Sequence, residues 1–166
     1  MAKTAANIIT ELAAKKGLVV GIFIAIHTFG RDLKWNTHIH LSVTCGGLDK
    51  NNQWKSICFR KDILMRMWRY RILSLIAQHY NDGQIPLPSS LADYCQHYSF
   101  KNYLAPFYQK RWIIHLAKPT KDHSSVVNYL GRYIKRPPIA QSKLKHYDGN
   151  IVIFTFLNHK NGKYGH

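Results

Sequence analysis

The alternation of apolar and polar residues along this chain changes period several times, and each change marks an element. Across residues 3–16, Ile8, Ile9, Leu12 and Ala13 recur at helical spacing and Gly17 follows as a stop, which predicts an opening helix. Residues 18–28 are β-branched and aromatic, and residues 38–44 resume in the same style after a polar loop. The two segments predict neighbouring strands of a hairpin. Gly46 and Gly47 predict a turn and residues 54–59 a third short strand. Residues 62–80 predict a long helix with Ile63, Met67, Tyr70, Leu73 and Ala77 at its periodic positions.

Asn-Asp-Gly and two prolines place a surface loop at residues 81–90, the natural position for a linker or insertion. Residues 91–109 are aromatic and their period does not select between helix and strand. Beyond them, residues 111–116 predict a strand, residues 124–136 a helix ended by Pro137-Pro138, and residues 151–157 a last alternating strand. Strands and helices interleaved around one sheet define an α+β fold, and 166 residues suit a single domain over 1–166. No internal repeat or low-complexity tract breaks the chain.

Composition narrows the partners. With 24 Lys+Arg against 8 Asp+Glu, the net charge of +16 points to a polyanion, nucleic acid first. The cations are scattered along the chain instead of lining one face of an amphipathic helix, and no apolar run approaches the roughly 20 residues that span a bilayer, so no membrane partner is expected. Lys15-Lys16-Gly17 and the apolar residues 18–26 imitate a signal peptide. His27 and Phe29 stand where small residues should precede cleavage, which favours a buried strand. The three cysteines, Cys45, Cys58 and Cys95, are odd in number and form no C-x-x-C pair, so they suggest neither a disulfide framework nor a cysteine zinc site; a reducing cytoplasm is the expected location.

In Thr37-His38-Ile39-His40-Leu41 the histidines are two apart on a strand, so both project from one face about 7 Å apart along the chain while Ile39 faces the core. Side-chain rotation brings such a pair within reach of one ion, since histidine–metal bonds are about 2.1 Å long. If the hairpin loop is centred near Asp32-Leu33, His27 lies opposite His38 on the same face and offers a third ligand; a slip of one residue turns it away. On these residues alone, a ligand set competes with ordinary hydrogen-bonded strand histidines, and His27 with a strand-end residue capping the loop.

In Val127-Asn-Tyr129-Leu-Gly131-Arg132-Tyr133-Ile-Lys135-Arg136 the tyrosines are four apart on the predicted helix, so both phenols reach one site. Arg132 and Arg136 each follow a tyrosine by three residues. A phenol of pKa near 10 is a poor nucleophile at neutral pH, and neighbouring cations favour the phenolate. The competing reading is a helix that packs two aromatic rings on the core. Gly131 costs a helix interior about 1 kcal/mol relative to alanine, which suggests close approach there by a strand or a ligand backbone.

Taken together, His27-Thr-Phe-Gly-Arg-Asp-Leu-Lys-Trp-Asn36, then His38-Ile-His40, then Tyr129-Leu-Gly-Arg-Tyr133-Ile-Lys-Arg-Pro-Pro138 resemble the two-tyrosine HUH (His-hydrophobic-His) transposases of rolling-circle insertion sequences. These are similar in mechanism to plasmid rolling-circle initiators, conjugative relaxases and Helitrons. The resemblance runs through most of the chain. It implies an RRM-like HUH endonuclease core, a central antiparallel sheet flanked by helices, with His38, His40 and His27 holding Mg²⁺ or Mn²⁺ and Tyr129 and Tyr133 attacking scissile phosphates. Each attack leaves a 5′-phosphotyrosine and a free 3′-OH. The implied partner is single-stranded DNA at insertion-sequence ends, with Arg31 and Lys34 beside the hairpin loop and Arg132, Lys135 and Arg136 on the helix as phosphate contacts.

Two features depart from the family pattern. Full-length members resemble a chain more than twice as long, with a cysteine-rich zinc-binding segment before this region and further sequence after it, so the chain matches a catalytic-core fragment. Residue 37 is threonine where related motifs often have proline. A non-catalytic single-strand binder, its aromatic residues stacking bases and its cations tracking phosphates, accounts equally well for charge and aromatic content but not for the paired histidines and tyrosines. A two-metal carboxylate nuclease fits poorly, because Glu11 is the only glutamate and the seven aspartates fall mostly in predicted loops or at helix starts.

Overall fold

The computed structural model of the protein describes residues 1–30, 32–120, 122–135, 139–158 and 161–165; of residues 93, 94, 96, 97, 123 and 132–135 it describes the backbone alone. The fold is α+β and divides into two compact units, Met1–Ile22 with Val43–Ala117 and Phe23–Ser42 with Lys118–His166.

The first unit opens with α1 (Ala2–Ala14), whose Ala5, Ile8, Ile9 and Ala13 form a buried stripe at helical spacing. Gly17 ends it in the left-handed region (φ 66°), a conformation that favours glycine, and the Leu18 N–H returns to the Ala13 carbonyl at 3.1 Å. Ala13, Leu18 and Ile57 then close a small core with Val20 and Phe59 packed against it. α1 rests on α2 (Lys61–Asn81), and a Glu11–Arg71 ion pair joins the two helices.

Gly46 and Gly47 do not turn the chain as their sequence suggests. They lie in β3 (Gly46–Leu48), antiparallel to β4 (Trp54–Ser56), and the turn follows at Asp49, whose carboxylate accepts from the N–H groups of Asn51 and Gln53 at 2.9 and 3.0 Å. The physical reason is crowding: a Cβ on Gly47 would run into the Val19 backbone, and one on Gly46 into the Trp54 ring at 2.6 Å. Only a residue without a side chain fits between those neighbours.

After α2, the expected loop leads into a region whose sequence showed no decisive period. It forms α3 (Ser89–His97) and α4 (Phe100–Gln109), the latter capped by the Ser99 side chain accepting from the Asn102 N–H at 3.3 Å. Leu73, Phe100 and Leu104 are buried together, with Tyr80, Tyr103, Phe107 and Trp112 against them, and Tyr80 stacks on Phe100 at 4.0 Å. Burying a Leu or Phe side chain contributes about 1.5–3 kcal/mol, so this cluster fastens α4 to α2. The strand expected at residues 111–116 is not formed. Trp112 faces the core while Ile113 is 75% exposed, so the alternation there reflects one anchored ring in irregular chain rather than a paired strand.

The second unit contains most of the hairpin of β1 (Ile22–Phe29) and β2 (Trp35–Val43), together with α5 (His123–Lys135), β5 (Leu144–Tyr147), β6 (Val152–Phe154), β7 (Phe156–Asn158) and β8 (Lys163–Gly165). Among the described residues the strands pair two by two, β1 with β2, β3 with β4, β5 with β6 and β7 with β8. The strand expected at residues 151–157 is accordingly split at Thr155, whose N–H bonds the Lys143 carbonyl at 2.9 Å, because its two halves serve different partners.

Candidate metal centre and tyrosine helix

The β1–β2 connection is short and internally bonded. The Gly30 N–H donates to the Lys34 carbonyl at 2.8 Å, the Leu33 N–H to the Gly30 carbonyl at 3.1 Å, and the Lys34 N–H to the Asp32 carboxylate at 3.3 Å, with Leu33 in the left-handed region (φ 57°). These bonds fix the register of the hairpin. His27 on β1 thereby shares a face with His38 and His40 on β2. The ring centroids are 5.3 Å apart for His27–His38, 4.7 Å for His27–His40 and 4.8 Å for His38–His40. Phe29 lies parallel to His27 at 6.1 Å.

All three imidazoles are half-buried, and one nitrogen from each lies within 4.8 Å of the others. Among the described residues this is the one such cluster of three or more His, Cys, Asp or Glu side chains. Ligands around a single ion with bonds of about 2.1 Å stand roughly 3–4 Å apart, so small side-chain rotations close the triad onto a cation. The His38 Nδ1–H donates to the Asn36 carbonyl at 2.7 Å, which leaves its Nε2 lone pair for a ligand. Burial, aided by the neighbouring His38, holds His27 below the usual imidazole range; burial, then His27 and His38, does the same for His40. Neutral imidazole is the form that binds metal, so the donor set fits a divalent cation.

Asn36 was not marked by the sequence as part of the site. It acts through its main-chain carbonyl, so its side-chain identity carries no signal. Lys34, expected as a phosphate contact, has an 83% exposed side chain and pairs with Asp32 at 3.5 Å.

In the same unit, α5 is started by Asp122, whose carboxylate accepts from the N–H groups of Ser124 and Ser125 at 3.0 and 3.2 Å and from the Ser125 hydroxyl. The hydroxyl bond, ahead of the two backbone bonds, holds the Asp122 carboxyl below its ordinary range. Asp-x-Ser-Ser before an apolar period is a legible cap, and it sets the helix start one residue earlier than the period alone. Tyr129 is half-buried on this helix. A Cβ built on Gly131 meets nothing within 4 Å, so no described protein strand explains the glycine. Arg31 and Arg136, and the side chains of Arg132, Tyr133 and Lys135, lie outside the described residues.

A histidine triad on a hairpin, followed by a tyrosine helix in the same unit, is the arrangement against which relatives can be compared. The family described as "Putative transposase" matches residues 21–166, and the chain belongs to it. Among individual relatives, it is 41% identical over 164 residues to the "Transposase for insertion sequence element IS801" of Pseudomonas savastanoi pv. phaseolicola, covering 98% of this chain and 40% of that protein. It is 26% identical over 151 residues to "Putative transposase y4qJ" of Sinorhizobium fredii, covering 88% of this chain and 38% of the relative. The chain thus spans about two fifths of the length of these relatives. No solved structure matches it. Among the described residues, no helix is long and apolar enough to cross a membrane.

Proposed function

We propose that this chain is the nuclease centre of a two-tyrosine HUH transposase, cutting and rejoining single-stranded DNA at insertion-sequence ends. The observation that carries the reading is the three-histidine cluster of the β1–β2 hairpin in a chain of the transposase family. Both compact units belong, on this reading, to one nuclease domain with an RRM-like core. His27, His38 and His40 hold the cation, Mg²⁺ or Mn²⁺. The chemistry a divalent ion supplies at such a site is neutralisation of the non-bridging phosphate oxygens.

The tyrosines do the covalent work. The phenol oxygen of Tyr129 or Tyr133 bonds to phosphorus, the bond to the 3′ oxygen breaks, the phenol proton passes to solvent, and the leaving 3′ oxygen takes a proton from solvent to become a hydroxyl. The energy of the phosphodiester is kept in the 5′-phosphotyrosine, so strand transfer needs no nucleotide cofactor. Arg132, Lys135 and Arg136, with Arg31 and Lys34 at the hairpin loop, hold the flanking phosphates.

Labelled single-stranded oligonucleotides incubated with Mn²⁺ or Mg²⁺ and resolved on a denaturing gel test the reading. The wild type is expected to give a covalent adduct on the 5′ side of the cut and a free 3′-OH on the other fragment. Tyr129→Phe or Tyr133→Phe alone should retain part of the adduct, and the double substitution none, because phenylalanine keeps the ring but lacks the oxygen. An adduct from the double variant refutes the nucleophile assignment, and strands bound but never cut by the wild type reduce the chain to a binding module.

A further inference from the structure

A shallow groove lies in the first unit, between the start of α3 and one face of α4. It is an open groove of about 500 Å³. Its floor is apolar: Tyr103, Pro106 and Phe107 recur at positions i, i+3 and i+4 of α4, and the Tyr103 and Phe107 rings stand 5.5 Å apart, tilted by 51°. Both rings rest on the buried Leu73–Phe100–Leu104 cluster, which gives the floor a rigid backing. Ser90 and Asn102 also line the groove, and the Lys110 ammonium lies 4.7 Å above the Phe107 ring.

Charge adds direction to this shape. In this unit Glu11, Asp49 and Asp62 are each ion-paired with other cations, Lys15 and Arg71, Lys55, and Arg60 and Arg66 respectively. Among the described residues no carboxylate pairs with Lys110. Arg69 reaches over from α2 to donate to the Lys110 carbonyl at 2.9 Å, which brings a second cation to that end. An aromatic ring on the floor, hydrogen-bonding side chains from α3 and α4, and a cation at one end complement the face, edge and phosphate of a nucleotide.

We propose that this groove takes one unstacked base and its phosphate from single-stranded nucleic acid, a strand contact in the first unit additional to the histidine hairpin of the second. The choice of ligand rests on the single-strand reading above. The test is photocrosslinking of the full chain to a single-stranded oligonucleotide carrying iodouracil, with the adduct mapped by peptide mass spectrometry, alongside binding titrations at several salt concentrations. Adducts on Tyr103 or Phe107 are expected. Lys110→Glu should weaken binding several-fold, and Lys110→Gln should lower the salt slope by about 0.7, the value for one phosphate on a single strand. Both changes are at an exposed side chain, and unchanged circular dichroism checks the fold. Adducts confined to the second unit, with both Lys110 variants binding like wild type, overturn the groove while leaving the single-strand reading intact. Absence of any retained oligonucleotide overturns both.

Discussion

Replacing Gly131 by alanine separates the two uses of a helix glycine. α5 runs from His123 to Lys135, so Gly131 is an interior position, and alanine there is favoured by about 1 kcal/mol. The usual offset is a clash of the new methyl group, but a Cβ at this position meets none of the described residues within 4 Å. The full gain of about 1 kcal/mol should therefore appear, raising the unfolding midpoint by roughly 2–4 °C for a chain of this size. Far-UV circular dichroism during heating measures it. A lowered midpoint would refute the reasoning, because protein atoms would then have to occupy the space beside the helix. The same variant reports on function: if the proposed DNA backbone runs against α5, the methyl group obstructs it, and adduct yield falls while stability rises.

Three other outcomes follow from the hairpin. Isothermal titration with Mn²⁺ should show affinity falling at least about tenfold for each of His27→Ala, His38→Ala and His40→Ala, since even loss of a group that merely orients a ligand costs that much; unchanged affinity in His27→Ala removes it from the ligand set. The lowered folded-state pKa values of His27 and His40 mean that the unfolded chain binds more protons as pH falls below the usual imidazole range near 6.5. Their contribution to stability is thus fully present above that pH and is lost as pH falls through the lowered folded values. Urea unfolding of the chelator-treated chain at a series of pH values checks the sign. Finally, the Thr37 hydroxyl is buried without a hydrogen-bond partner among the described residues, so Thr37→Val should stabilise the chain by about 1 kcal/mol in the same urea assay and leave Mn²⁺ affinity unchanged.

Legibility in the sequence followed the source of each constraint. α1 and α5 were readable because their apolar residues repeat with the helix period and their ends carry local signals such as Gly17 and Pro137. α2 was readable as a helix, but of its buried residues Leu64, Ile72 and Leu73 only Leu73 stood at an expected position, and the expected Tyr70 is 63% exposed. The shared face of His38 and His40 follows from strand geometry alone, and the placement of His27 beside them from the loop length. Residues whose conformation depends on distant neighbours were not readable: Gly46 and Gly47 answer to Val19 and Trp54, and Trp112 to the Leu73 cluster. α3 and α4 were obscured because rings pack well in either kind of element, so aromatic content without a clear period carries little information. The groove on α4 was hidden with them.

The hairpin also bears on the order of events when the chain folds. His27, His38 and His40 are neighbours along the sequence as well as in space, and the loop that unites them holds its own hydrogen bonds from Gly30 to Lys34. Closing so short a segment loses little chain entropy, and hairpins form in about 1–10 μs. The donor set is therefore complete as soon as two adjacent strands zip together, without waiting for long-range contacts. If the triad takes a cation as proposed, capture at that stage would clasp the nascent hairpin, and metal supply would bear on the yield of folded chain.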